Sequence, residues 1–399
     1  MSQNPGASPA DDFDPARDLP GFDVARAKRY ARVRLAIGAS AAALSIARTL
    51  WFARSGGSAR VRAIAENAAP HPALAAPLYV ASEALGSWAA SLPLGYWGGY
   101  RVERAFGLTK QSSREWAADQ TKSLALGIAL QVPITVGAYR VIHSRPEDWW
   151  LILSGVSLPI MVGLSYVAPT VLMPIFNTFK PLDQAELSAR ISRLAERANV
   201  PIAAVMAMDM SRQSEKPNAF FAGIGSSKRI VLADTLLDKF SDDEVEGVVA
   251  HELGHQVHGD MWRFVGAAAV AGTASAWALS KVAPRWIRAN ARQSGVTSID
   301  DIASLPLLQV LLSASGLVIG PLFAAMSRQI ERRTDDFALH MTGDGETYAA
   351  AMGKLATYSL ADPEPPRLLV AMLASHPPIA DRIRAARRFD RARKNAAGV

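Results

Sequence analysis

His251-Glu252-Leu253-Gly254-His255 decides how this chain is read. The run matches H-E-x-x-H, and Ser241-Asp242-Asp243-Glu244 ahead of it reads as a capping box that starts a helix. Val245, Val248, Val249 and Leu253 follow as an apolar stripe, and no proline interrupts before Pro284. On such a helix two histidines four residues apart share a face, so both imidazoles can reach one metal ion. Glu252 beside the first is placed to take a proton from a water activated there. The bare pattern also occurs on surface helices with a solvated glutamate; the capping box and the stripe set this copy apart.

The surroundings of the motif are apolar. The chain has 399 residues, 50% hydrophobic and 20% charged, with a mean hydropathy of +0.09. That combination implies apolar segments separated by charged loops. Six stretches approach the roughly 20 residues that cross a bilayer: residues 35–52, 73–97, 123–141, 149–176, 264–282 and 305–326. Glu83 falls inside the second, which places it in a protein interior or cavity, or else at a span end. Trp97, Trp149 and Trp150 sit near span ends, where interface anchors belong.

The net charge of +7 admits nucleic acid as a partner. The basic residues flank the apolar runs, however, and the positive-inside rule accounts for them more simply. Arg26 to Arg34, Arg101 to Lys122 and the stretch after residue 326 all fall on one side if the N-terminus is cytoplasmic. The segment 177–262 then faces the cytoplasm too. Residues 1–20, rich in Pro, Asp, Ser and Ala, read as disordered and not as a signal peptide, and 391–399 as a frayed basic tail. Between them lie a four-span region at 21–176, a region with the H-E-x-x-H helix at 177–262, two spans at 263–326 and a C-terminal region at 327–390.

There are no cysteines, so a zinc site must draw on His, Asp or Glu. A catalytic zinc takes a third protein ligand and keeps one position open. Two spans separate His255 from residue 327, which returns the chain to the same face. There Ser327-Arg328-Gln329-Ile330-Glu331-Arg332-Arg333-Thr334-Asp335-Asp336 puts Glu331 and Asp335 on one helix face. Glu331 is the expected third ligand. Asp335 is the expected acceptor for the free N–H of a ligand histidine, and Arg328 the expected partner of either carboxylate. Composition alone would favour an exposed charged helix here. His258 lies roughly 10 Å along the axis from His251, and His340 points away from Glu331, so neither is expected to ligate. Gly223-Ile224-Gly225-Ser226-Ser227-Lys228 lacks nucleotide-loop spacing and reads as a hairpin turn. Its edge strand could pair with an extended peptide.

Together these residues resemble the type I CaaX prenyl endopeptidases, membrane zinc metalloproteases that process prenylated C-termini. The resemblance extends to Asn218-Ala219-Phe220-Phe221, Arg229 to Leu237, Ser375-His376-Pro377-Pro378 with Arg382, Glu103 to Leu108, and Tyr166 to Pro169. It covers about residues 20 to 390. It implies a mainly α-helical polytopic chamber with an inserted zincin-like metalloprotease region carrying a small β-hairpin or sheet. It further implies that His376 and Arg382 contact substrate or the oxyanion, and that Asn218, Ala219 and Phe220 lie along the bound peptide. The family has seven spans where six are counted here.

The expected function is therefore integral-membrane zinc endopeptidase, gluzincin in type. One Zn²⁺ is held by His251, His255 and Glu331, with Glu252 as base. The partners are a peptide or protein substrate, prenylated or membrane-embedded, and the lipid bilayer, with no nucleic acid. The Ala- and Arg-rich composition points to a bacterial inner membrane. Three rivals remain: a quality-control protease of the same mechanism, an inactive zinc-bound scaffold, and a metal transporter in which Glu252 would be dispensable.

Overall fold

The computed structural model describes residues 13–223 and 225–398. Helices dominate: α1 (Val24–Arg54), α2 (Gly57–Ala68), α3 (Ala75–Tyr96), α4 (Ser113–Ser144) and α5 (Trp149–Val167) precede the first strand. Strands β1 (Phe179–Pro181), β2 (Ala204–Met208), β3 (Ala219–Ala222) and β4 (Arg229–Ala233) follow, with α6 (Ala185–Arg197) after β1. The chain closes with α7 (Asp242–His258), α8 (Asp260–Ser294), α9 (Leu305–Thr342), α10 (Gly345–Ser359), α11 (Arg367–Leu373) and α12 (Ile379–Ala397).

Six helices make a closed ring. α1 packs on α3, α3 on α4, α4 on α5, α5 on α8, α8 on α9, and α9 returns to α1. Four described helices are long and apolar enough to cross a membrane: Val24–Arg54, Ser113–Ser144, Trp149–Ile175 and Ile302–Thr342. Only 0% to 28% of their apolar windows is buried, as in a wall one helix thick with lipid on one side and an interior space on the other. Leu317, Val318 and Leu322 on α9 are exposed apolar side chains that lipid can cover. The other two expected spans, 73–97 and 264–282, coincide with α3 and α8. Glu83, Lys281 and runs of Ala, Ser and Gly dilute their apolar character, yet both complete the ring.

Below one end of the ring sits a four-stranded sheet in the order β1-β2-β4-β3. β2 and β4 run parallel, while β1 and β3 are antiparallel to their neighbours. The β3–β4 pairing is the expected hairpin; Ile224 in its turn lies outside the described residues. Ile191 of α6, Ile230 and Leu232 of β4, Val249 and Leu253 of α7 and Met352 of α10 share one buried core. α7 therefore buries one face in that core and frees the other for chemistry. Loop residue Lys216 reaches Glu103 at 3.0 Å, and Tyr30 donates to the same carboxylate at 2.6 Å. This clamp ties the approach to β3 to the ring.

Two expectations at the termini change. Residues 1–12 lie outside the described residues, but from Phe13 the expected disordered lead is packed. Pro15–Asp18 forms a capped helical turn, Phe13 and Leu19 are buried in the core shared by α6, β4, α7 and α10, and Asp18 pairs with Arg387. Burial of two apolar side chains offsets the polar composition that suggested disorder. The basic tail is also not frayed as far as it is described, since α12 continues to Ala397.

Candidate active site

The capping box forms as the sequence requires. Ser241 Oγ accepts from the Glu244 N–H at 3.3 Å, and the Glu244 carboxylate accepts from the Ser241 N–H at 2.7 Å. Gly259, at φ 64°, ends α7 in the left-handed conformation that glycine adopts without strain. α8 starts at once, with Asp260 in its first turn.

His251 and His255 meet edge to face, with ring centroids 4.9 Å apart. α9 brings Glu331 against them. Its carboxylate stands 3.3 Å from His251 Nε2 and 3.6 Å from His255 Nε2. The three ligand atoms lie within 4.8 Å of one another, and this is the metal-capable cluster found among the described residues. His258 and His340 are not part of it.

Gly254 makes that approach possible. A Cβ built there would stand 2.8 Å from Thr334 Cγ2 and 3.0 Å from the Phe337 ring. Gly254→Ala should therefore push α7 and α9 apart, at a cost of about 1–3 kcal/mol, and carry Glu331 away from the histidines. Thermal unfolding and metal content per chain test this; neither changing would show that the two helices have slack.

Both Nδ1 atoms are occupied by carboxylates. His251 Nδ1 is 2.9 Å from Asp335 Oδ1, and His255 Nδ1 is 3.0 Å from Asp260 Oδ2. Asp260 is in turn held by Arg333. These contacts turn both Nε2 atoms toward Glu331. Glu331 Oε2 is buried and makes no hydrogen bond. A buried carboxylate oxygen without a donor is costly, and a cation between it and two imidazoles removes that cost. The donor set fits a divalent metal ion of the kind His and carboxylate bind.

Burial raises the Glu252 carboxyl above the usual carboxylate range, against the pull of His251 and His255. A base works best with its pKa near the working pH, so the shift runs in the useful direction. Burial also opposes a charge on His251, while Asp335 and Glu331 favour one and raise the imidazole; a cation held at Nε2 would take the place of that proton.

The remaining expected residues divide. His376 Nε2 lies 3.4 Å from Glu331 Oε1, its ring largely exposed at the mouth of the site. Asn218 is exposed at the start of edge strand β3, and Ala219 is buried. The Asn218 carbonyl accepts from the Ala233 N–H at 3.0 Å. By antiparallel alternation, Ala219 and Phe221 then direct their backbone N–H and C=O away from the sheet. β3 also packs beside α7.

Two placements are corrected. Arg328, expected on a carboxylate, donates to the backbone carbonyls of Val370 and Ala374, each at 2.7 Å. It thereby caps the C-terminal end of α11. Arg382, expected at substrate or oxyanion, is 7% exposed and lies on the Nδ1 side of His251. It grips Asp335 through Nε at 2.9 Å and a terminal nitrogen at 2.6 Å, so it sits behind the histidine. Tyr348 and Asp260 escape the sequence reading. Tyr348 donates to Asp335 Oδ1 at 2.6 Å from a helix that carries no motif. Asp260 had a usable signal, being a carboxylate directly after the glycine that ends the histidine helix.

Residues 181–390 match the profile of peptidase family M48. The chain belongs to that family. Residues 10–178 match the CAAX prenyl protease N-terminal profile, described as five membrane helices. α1 to α5 occupy this range, although α2 has only 12 residues. The Bacillus subtilis protein named uncharacterized metalloprotease YhfN is 29% identical over 95% of this chain and 89% of its own. CAAX prenyl protease 1 of Saccharomyces cerevisiae is 37% identical over 41% of this chain, which spans 36% of the yeast protein. The crystal structure of S. mikatae Ste24p superposes with a TM-score of 0.82 at 23% identity, covering 91% of this chain and 88% of that one. The M48 chain thus shares the Ste24p fold and is an integral, multi-pass membrane metalloprotease.

Proposed function

We propose that this M48 protein is a zinc endopeptidase that cleaves extended segments of membrane-delivered substrates, prenylated Cys-a-a-X C-termini among them. The carrying observation is the buried Glu331 carboxylate set against the Nε2 atoms of His251 and His255, the three ligand atoms within 4.8 Å of one another. His251, His255 and Glu331 hold the metal. Bound there, zinc supplies Lewis acidity, lowering the pKa of a water toward about 7 and polarising a carbonyl.

The chain's own residues do the rest. The free edge of β3 pairs with the substrate backbone along Asn218, Ala219 and Phe220. Glu252 takes the proton of the attacking water and returns it to the leaving amine. His376, at the mouth, donates toward the developing oxyanion. Asp335 and Asp260 hold the two histidines in register, and Arg382 acts only through Asp335. The catalytic body comprises residues 177–262 and 327–390, with two spans inserted between its halves. The basic stretches at residues 26–34, 101–122 and after 326 support a site that faces the cytoplasm, and the Ala- and Arg-rich composition supports a bacterial inner membrane.

A quenched peptide ending in a farnesylated Cys-a-a-X, offered to detergent-purified protein, tests this. Cleavage should occur with the intact protein and vanish on chelation. An unprenylated peptide run alongside separates maturation of prenylated chains from quality control of membrane proteins. No cleavage of either peptide by metal-loaded protein would overturn the proposal.

A further inference from the structure

The metal centre stands at one end of the helix ring, and a second polar cluster lies in the opposite half. Arg48 on α1, Glu83, Ser87 and Trp88 on α3, Gln131 on α4 and Gln309 on α9 line one cavity of about 560 Å³. Glu83 is 8% exposed. Its Oε1 accepts from Ser87 Oγ at 2.8 Å, and Ser87 Oγ accepts from an Arg48 terminal nitrogen at 2.9 Å. The hydroxyl thus stands between cation and anion, and Arg48 forms no ion pair with a carboxylate among the described residues. The Trp88 indole N–H is buried and makes no hydrogen bond.

Ionisable groups inside a membrane body are costly and mark working sites. The lining amides and hydroxyls can both donate and accept, its one carboxylate is already engaged by serine, and its only cation among the described residues is Arg48. The remaining guanidinium N–H groups suit a carboxylate ligand, which a guanidinium can grip with two parallel bonds.

The distance gives the cluster a use. Gln309 precedes Glu331 by 22 residues on the same helix, roughly 33 Å at ~1.5 Å per residue. An extended peptide spans that with about ten residues. We propose that this cluster is a distal substrate subsite, in which Arg48 takes a carboxylate of the bound chain about ten residues from the scissile bond. The inference rests on the endopeptidase reading. It makes the ring a ruler that selects acidic groups at a set spacing, where the catalytic body alone would read only the residues around the cut.

The test walks one Glu through a long quenched peptide, from five to fifteen residues on either side of the cut, each peptide matched with its Gln counterpart. Intact protein should show about a tenfold lower KM for Glu over Gln near ten residues on one side, with kcat unchanged. Arg48→Gln should erase that preference and leave a short peptide spanning only the cut unaffected; Arg48→Lys should restore part of it. A flat Glu profile in the intact protein, or a preference that survives Arg48→Gln, would overturn the proposal. So would a preference that follows anionic lipid in the detergent instead of the peptide carboxylate. Should Arg48→Gln fail to fold, Gln309→Leu must blunt the same preference. If no peptide is cleaved, the endopeptidase reading falls, and equal affinities of labelled Glu and Gln peptides by anisotropy would remove the subsite as well.

Discussion

Glu252→Gln is expected to abolish peptide hydrolysis while leaving one metal ion bound per chain. The substitution keeps the side chain's size and removes its ability to accept a proton. Positioned general bases contribute roughly 10²–10⁴ in rate, so kcat should fall by that range with KM little changed. The metal should stay because Glu252 is not in the ligand cluster; His251, His255 and Glu331 keep their contacts. Metal analysis beside single-turnover kinetics decides the matter. Turnover at the wild-type rate would remove Glu252 from the chemistry and revive a scaffold or transport role. Loss of metal together with activity would instead make it a structural partner of the ligands.

Arg382→Leu should have the largest effect on the folded protein. The guanidinium and Asp335 form a buried two-bond pair that Tyr348 also joins. Removing one partner strands the other charge, and breaking such a pair costs about 3–5 kcal/mol. Asp335 also holds His251 Nδ1, so metal affinity should fall by roughly 10–100-fold, as for other residues that orient a ligand histidine. Thermal unfolding with and without metal, plus a competition titration, measures both. Arg382→Lys should recover only part of the loss, because an ammonium cannot copy the planar two-bond grip. A variant with normal melting and normal metal affinity but reduced kcat would return Arg382 to the oxyanion.

The different fates of Arg328 and Arg382 show where the linear reading stops. Both are arginines near a site helix, and both were assignable to a carboxylate or an oxyanion by type. Arg328 lies one turn before Glu331, yet its partners are α11 carbonyls more than 40 residues away in sequence. The side chain's direction, which spacing does not encode, settles its contacts. His251, Glu252 and His255 were legible because one helix carries all three and its period is known. Glu331 and Asp335 were legible because they share a face of a second helix. Tyr348 was not, since a tyrosine in an alanine-rich helix has no pattern to betray it.

From the sequence alone came the histidine pair with its base, the candidate third ligand, the apolar segments and the side on which their basic flanks gather. Each depends on local spacing, charge or hydropathy, which the chain carries whatever its fold. Only the tertiary structure could close six helices into a ring, since closure depends on which walls touch. Only it could set Arg382 behind His251, give His255 its partner in Asp260, and gather Arg48, Ser87 and Gln309 around one cavity. Those contacts join residues tens to hundreds of positions apart, or fix a side chain's direction, and neither follows from periodicity.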